Sequence, residues 1–291
     1  MKTKEQKELL KKCRHRMEFP VTIAAVVITV AIAVLAVLLF RSVGNDQHAE
    51  EILMEQLEYE QADIDFAVKC GKYVLIVIVL FLFLKLVWEL FKNAGIAMVN
   101  DVPFEKKYNP QVYEEYLRHC KTLGIQSPPR LFLSTQLGNL ESTGITIKSE
   151  QYLRVDQSAT GNQDNLLFEV LHDLAHIAYH HYHYALLIPT VAARWLPFVK
   201  EIYNKVMCYS ADRLTAELMG REACITVLLQ NYMLSAYEPE LREVYIKRLN
   251  EQKLTMSERI SAALYNLTAD TPSYPDRIRA LADDRNRGRL I

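Results

Sequence analysis

The chain has 291 residues, half of them apolar, so it can bury a core as one large or two modest domains. Its formal net charge of -1 provides no basic field for nucleic acid and no acidic tail, which excludes nucleic acid as an expected partner. The five cysteines lie far apart without Cys-x-x-Cys spacing, so they indicate free thiols or a metal ligand in a reducing compartment.

Two long apolar runs near the N-terminus predict membrane-spanning helices. Residues 20–40 carry no charge and are long enough to cross a bilayer, and they are too long for the apolar part of a signal peptide. Residues 73–91 carry charge only near their end, where Lys85, Trp88 and Glu89 fit a helix end at the headgroup interface. A buried helix of a soluble protein is the weaker alternative for runs of this purity.

The flanking charges predict how these spans are oriented. Residues 1–19 carry seven Lys and Arg, whereas the connection 41–72 carries three against eight Asp and Glu. Because basic segments stay on the cytoplasmic side, we expect a cytoplasmic N-terminus and an acidic extracytoplasmic connection. The predicted organisation is a transmembrane hairpin over 20–92 and a cytoplasmic domain over 93–291, which makes a multi-pass protein of the cell membrane.

The cytoplasmic part is predicted to be mainly helical with a small antiparallel sheet. A helix is expected at 110–123, between a proline and Gly124. From residue 164 onward the pattern is helical almost to the end, with Asp164 as the expected N-cap. Short strands between Gly, Asn and Ser clusters are predicted at 130–133, 144–147 and 152–155.

The segment 185–199 is strongly apolar but short, and it is interrupted by Pro189, Arg194 and Pro197. We do not expect it to span a bilayer. Two interpretations stay open, a buried core helix and an interfacial or re-entrant hairpin.

A histidine motif lies in residues 168–184, which read FEVLHDLAHIAYHHYHY. His172 and His176 are four residues apart, so on a helix they share one face and can share one zinc ion. In the H-E-x-x-H motif the residue after the first histidine is a glutamate that acts as a base. Here that position holds Asp173, whose side chain is one methylene shorter, and Glu169 on a nearby face is a weaker substitute.

The histidine pair alone is weak evidence, because histidines fall four apart by chance on many helices. The following His180, His181 and His183 are interpreted as an exposed polar helix end rather than as further ligands. A catalytic zinc site needs a third protein ligand and an open position, so the downstream sequence has to supply one.

Two downstream segments resemble one family. Residues 206–220 read VMCYSADRLTAELMG, and together with the histidine helix they resemble the HtpX and CaaX prenyl protease family of membrane zinc metallopeptidases, whose second helix has E-x-x-A-D-R-x-x-A character. Asp212 matches the aspartate of that pattern. The family's zinc-ligand glutamate, four residues before that aspartate, corresponds to Cys208 in this chain. Residues 271–281, TPSYPDRIRAL, resemble the family's closing T-H-P-x-x-x-x-R-I-x-x-L segment without its early histidine, and Arg277 matches its arginine.

The resemblance implies a cytoplasmic α+β zincin-like metallopeptidase domain that hydrolyses peptide bonds with a metal-activated water. The implied partners are the lipid bilayer and a polypeptide substrate, such as a membrane protein. The implied roles are zinc ligation by His172, His176 and Cys208, support of a ligand histidine by Asp212, general-base catalysis by Asp173 and a structural role for Arg277.

Two departures from the family pattern leave an alternative open. Asp173 and Cys208 both replace glutamates, although a cysteine thiolate is itself a good zinc ligand. A catalytically inactive relative that acts as a membrane-bound binding protein is therefore the second hypothesis.

Overall fold

The structure is a computed structural model that describes residues 2–44, 101–134, 143–145, 151–190, 193–196, 198–233, 237–251 and 255–283, with isolated positions at 66–87, 288 and 290. The predicted second span at 73–91 and most of the connection at 41–72 lie outside the described residues. The isolated positions between 66 and 87 are helical.

The basic N-terminus forms helix α1 (Lys4–Cys13), which packs onto the domain. A capping box begins the helix, because the Thr3 hydroxyl accepts from the Gln6 amide and the Gln6 side chain accepts from the Thr3 amide at 2.8 Å. Leu10 and Cys13 are buried in the main core. The N-terminal segment is thus packed into the same core as residues that come much later in the sequence.

Helix α2 (Glu18–Gly44) contains the first predicted span. Its stretch Glu18–Leu38 has a mean hydropathy of 3.0 and is only 6% buried. Within the described parts of the chain it is the one helix long and apolar enough to cross a membrane. Most of its apolar surface is therefore left uncovered by the described parts of the chain.

The sheet is mixed, so the prediction of an antiparallel sheet was wrong. Strands β2 (Arg130–Ser134) and β4 (Gln151–Asp156) pair in parallel, with Leu131 opposite Leu153, while β3 (Thr143–Ile145) pairs antiparallel with the other edge of β4. After β2 the chain forms β3 at the far edge of the sheet and then β4 between β2 and β3. The alternation of apolar residues along a strand does not indicate whether the strand pairs parallel or antiparallel with its neighbour. The strands are β1 (Val102–Pro103), β2 (Arg130–Ser134), β3 (Thr143–Ile145) and β4 (Gln151–Asp156), in the order β1-β2-β4-β3.

The rest of the domain is helical, as predicted. Helix α4 (Gln163–Ala178) begins two residues earlier than expected, because Asn162 and not Asp164 is its N-cap and accepts from the amides of Asp164 and Asn165. The helices are α3 (Pro110–Thr122), α4 (Gln163–Ala178), α5 (Tyr184–Thr190), α6 (Val199–Met219), α7 (Arg221–Met233), α8 (Arg242–Glu251), α9 (Met256–Thr268) and α10 (Tyr274–Ala282).

The core places α4 between the sheet and α6. Leu171 and Leu174 of α4 are fully buried with Leu153 of β4 and Leu214 of α6 in one cluster. A second cluster joins α7 to α10 through residues such as Ile278. These contacts bring the motif helix, the helix of the second motif and the C-terminal helix side by side.

The sheet also buries one ion pair, which yields a stability prediction. Arg154 is fully buried and its guanidinium contacts the Asp101 carboxylate and, at 2.9 Å, the Ser134 hydroxyl. Asp101→Ala leaves this charge unpaired, so we expect the free energy of unfolding to fall by roughly 3–5 kcal/mol, measured by thermal or denaturant unfolding in detergent. Lys106→Ala is the control, because its pair with Glu114 is exposed. Equal effects of the two variants would contradict the prediction.

Candidate metal centre

The two motif histidines lie one turn apart on α4 with their rings directed at a common point. Their Nε2 atoms are 3.3 Å apart. Two zinc–nitrogen bonds of about 2.0–2.1 Å at a tetrahedral angle separate the two nitrogens by about 3.3 Å. His172 and His176 therefore have the spacing of two ligands of one ion.

The His172 ring is held from two sides. Its Nδ1 lies 2.9 Å from Asp212 Oδ1, and the Phe168 ring stacks on it with a centroid distance of 5.9 Å. A carboxylate at Nδ1 keeps the ring proton there and leaves the Nε2 lone pair for a metal.

Asp212 is in turn fixed by Arg277. The guanidinium donates from Nε to Oδ2 at 2.8 Å and from Nη2 to Oδ1 at 2.6 Å, a bidentate pair between α10 and α6. Burial alone would raise the pKa of Asp212, but Arg277 and His172 lower it overall. Asp212 therefore stays ionised although it is buried.

The turn after α4 positions a third histidine. It is a Schellman motif, in which the amide of His181 donates to the His176 carbonyl and the amide of His180 donates to the Ile177 carbonyl. His180 occupies the left-handed position with a φ of 61°, where glycine is the usual residue. The reversal sets the His181 ring against His176, with their Nδ1 atoms 2.9 Å apart.

His181 links the site to the start of α2. Its Nε2 lies 3.3 Å from Oε1 of Glu18. Glu18 is itself buried, accepts from the Ser210 hydroxyl and pairs with Arg14 at 3.1 Å. A proton on His181 Nε2 leaves His181 Nδ1 as an acceptor for the Nδ1 proton of His176, so the His176 Nε2 lone pair also faces the site.

Cys208 lies on α6, one turn before Asp212, and forms a close group with His172 and Asp212 that does not include His176. One ligand atom each of His172, Cys208 and Asp212 lies within 4.8 Å of the others, which is close enough to hold a metal ion. Cys208 Sγ is 4.0 Å from Asp212 Oδ2. Burial, and then the Asp212 charge, raise the pKa of Cys208 to about 12. The side chain is thus a thiol without metal, and a bound ion has to displace its proton.

The protonation of the two histidines also suits a metal. Burial lowers the pKa of His172, although Asp212 acts in the opposite direction. Burial and the neighbouring histidines lower the pKa of His176 further. Both rings are therefore neutral near pH 7, the form that binds metals.

Two carboxyl groups lie on the same helix as the histidines. Asp173 is buried, and its charge contributes to the raised pKa of Cys208, which places it on this side of α4. Glu169 accepts from the Asp156 amide at 3.4 Å, and burial raises its pKa to about 7. Asp173 is the candidate for proton transfer, since it directly follows His172 in sequence and its charge acts on Cys208.

The structure brings the residues of the sequence motifs together on α4, α6 and α10. The interpretation of an exposed helix end was wrong for His181, which is 1% exposed, whereas His180 and His183 are exposed. Sequence reasoning missed Glu18, whose only signal is a carboxylate just before an apolar run. No protein-family model, no curated protein and no solved structure matches this chain.

The contact between His181 and His176 yields a binding prediction. His181→Ala removes the acceptor that orients His176, so we expect zinc affinity to fall roughly 10–100-fold, measured by competition with a chromophoric chelator. The matched control is His180→Gly, because glycine accepts the left-handed backbone and His180 is exposed. Unchanged affinity in His181→Ala would refute a positioning role.

Proposed function

We propose that this chain is a membrane-bound, zinc-dependent metalloendopeptidase of the HtpX-like type. The observation that carries the proposal is the pair of Nε2 atoms 3.3 Å apart, each on a ring whose Nδ1 contacts Asp212 or His181. If both Nδ1 atoms hold their protons, two lone pairs face each other and repel. A cation between them removes that repulsion, so the donor set fits a metal.

The proposed zinc ligands are His172, His176 and Cys208. Asp212 is the less suitable ligand, because both of its oxygens are engaged by Arg277 and one also contacts His172. A set of two histidines and one thiolate leaves a fourth position for water or substrate, as in catalytic zinc sites.

The proposed chemistry divides between the ion and the chain. Zinc, when bound, polarises the peptide carbonyl and increases the acidity of water. Asp173 takes the proton from the attacking water and passes it to the leaving amine. Asp212 and His181 hold the two histidine rings, and Arg277 keeps Asp212 ionised, so that these groups need not rearrange during the reaction.

The same geometry supports a site at the membrane surface. Glu18 begins the apolar stretch of α2 and also contacts His181, so the domain lies on the side of the bilayer where the N-terminus lies. The excess of Lys and Arg in residues 1–19 over the connection 41–72 predicts that this side is cytoplasmic. If α2 crosses the bilayer, the chain has to cross back before residue 101, because the domain that follows lies on the side of the N-terminus. The predicted span at 73–91 provides that second crossing. We therefore propose a multi-pass protein whose substrates are polypeptides presented near the bilayer.

A second candidate is a non-catalytic binding protein with the same fold. Asp173 is one methylene shorter than the usual base, and a displacement of about 1 Å at a catalytic group can reduce the rate on the order of a hundredfold. Cys208 donates more charge than a carboxylate and makes the metal a weaker Lewis acid.

Metal analysis of the detergent-purified protein tests the ligand set. We expect about one zinc per chain, lost in His172→Ala and in Cys208→Ala because each removes a ligand. Cys120→Ala is the matched control, since this cysteine is also buried but lies on α3. A wild-type protein without zinc under metal-replete conditions would overturn the metal proposal, and zinc retained by Cys208→Ala would remove Cys208 from the ligand set.

Hydrolysis of a fluorescently labelled unfolded polypeptide in detergent separates the two candidates. We expect chelator-sensitive cleavage whose kcat/KM falls at least ~100-fold in Asp173→Ala, with zinc content unchanged. Asp173→Glu restores the usual length of the base and is expected to cleave at least as fast as the wild type. Zinc-loaded protein that does not cleave supports the binding protein, and cleavage that persists in Asp173→Ala contradicts the proposed base.

A further inference from the structure

The Arg277 guanidinium contacts two aromatic rings in addition to Asp212. Its central carbon lies over the Phe168 ring, 5.5 Å from the ring centre, and over the Tyr274 ring at 5.8 Å. Both distances are within the range of cation–π contacts, which extends to about 6 Å. The hydrogen bonds to Asp212 use the Nε and Nη2 donors, so the ring contacts add to the bidentate pair and do not compete with it.

Helical spacing explains two of the contacts around this arginine. Tyr274 precedes Arg277 by three residues on α10, and Phe168 precedes His172 by four residues on α4. Side chains at these separations are neighbours on one helix face. The contact between Phe168 and Arg277 is different, because it joins α4 to α10.

Phe168 is held in a fixed position between the two groups that it contacts. Its side chain is 3% exposed and lies in the cluster that contains Cys224 of α7 and Ile278 of α10. The same ring stacks on His172 with an angle of 28° between the ring planes. One buried ring therefore contacts both the proposed zinc ligand His172 and the cation that pairs with Asp212.

Together the four side chains form a closed cycle of contacts across α4, α6 and α10. Asp212 contacts His172 and Arg277, and Phe168 contacts the same two groups from another direction. Rotation of any one of the four side chains breaks two contacts of the cycle. The orientation of the His172 ring is thus coupled to the ring of Phe168 as well as to the carboxylate.

We propose that Phe168 is a positioning residue of the metal centre, which holds the His172 ring and the Arg277 guanidinium in place against Asp212, and that Tyr274 supports Arg277 as a second ring. This inference rests on the zinc site proposed above and extends it to two residues with no metal-binding atom. A phenylalanine that only fills the core could be replaced by leucine without a specific effect on zinc, because leucine supplies apolar volume. Leucine lacks the flat face and the quadrupole of the aromatic ring.

Zinc affinity of the detergent-purified full chain, measured by competition with a chromophoric chelator, tests the positioning role. We expect the affinity to fall roughly 10-fold in Phe168→Leu. The matched control is Phe132→Leu, the same substitution at a buried phenylalanine of a separate cluster with Tyr152, and it is expected to leave the affinity unchanged. Tyr274→Leu is expected to lower the affinity roughly 2–5-fold, whereas Tyr274→Phe keeps the ring and the affinity of the wild type.

A double-mutant cycle on the metal-free protein tests the contact between Phe168 and Arg277 without zinc. Arg277→Lys keeps the positive charge but removes the planar guanidinium. We expect the effects of Phe168→Leu and Arg277→Lys on denaturant unfolding to be non-additive, with a coupling of at least about twofold in the unfolding equilibrium constant. Phe132→Leu combined with Arg277→Lys is the control cycle, and it is expected to be additive.

Each outcome has a separate meaning. Unchanged zinc affinity in Phe168→Leu, or an equal loss in Phe132→Leu, would overturn the positioning role. Additive unfolding effects of Phe168→Leu and Arg277→Lys would overturn the contact through which Phe168 acts. A wild-type protein without zinc would refute the metal centre and the positioning role with it, and a coupling that persists there would show that the zinc proposal failed and not the aromatic contact.

Discussion

The bidentate pair between Arg277 and Asp212 is the interaction on which the arrangement of the candidate metal centre depends. It joins the last helix of the described chain to α6, and Asp212 joins α6 to His172 on α4. A buried carboxylate without a partner takes up a proton, and a protonated Asp212 would donate to the His172 ring instead of accepting from it. Arg277 therefore sets the tautomer of a histidine more than a hundred residues earlier in the chain.

The second histidine is also held through a carboxylate that pairs with an arginine, here from the N-terminal part of the chain. His176 contacts His181, His181 contacts Glu18, and Glu18 pairs with Arg14. Each of the two rings is thus connected to a carboxylate that an arginine neutralises: Asp212 by Arg277 of α10, and Glu18 by Arg14, which follows α1. Since Glu18 begins the apolar stretch of α2, the orientation of His176 is coupled to the position of that helix.

The parts of this arrangement that follow from local spacing were predictable, and those that follow from topology were not. The four-residue spacing of His172 and His176, the helix ended by Gly124 and the first apolar run each depend on a short stretch of sequence. The parallel pairing of β2 with β4 depends on the path between the strands. His181 is buried because a left-handed His180 reverses the chain, and histidine at that position gives no glycine signal. Glu18 has no motif, because its partners lie near residues 181 and 210.

The two departures from the family pattern act on different properties of the centre. In the proposed zinc site, a Cys208 thiolate in place of a carboxylate would keep the ligand set at the same charge of minus one, but sulfur donates more electron density and would weaken the metal as a Lewis acid. Replacing the base by Asp173 shortens its reach and leaves the ligands in place. Neither change disturbs the contacts of Asp212 and His181 that orient the rings. Under the proposed function, the two replacements would therefore reduce the rate of hydrolysis more than the capacity to hold metal, and this is why metal content and cleavage have to be measured separately.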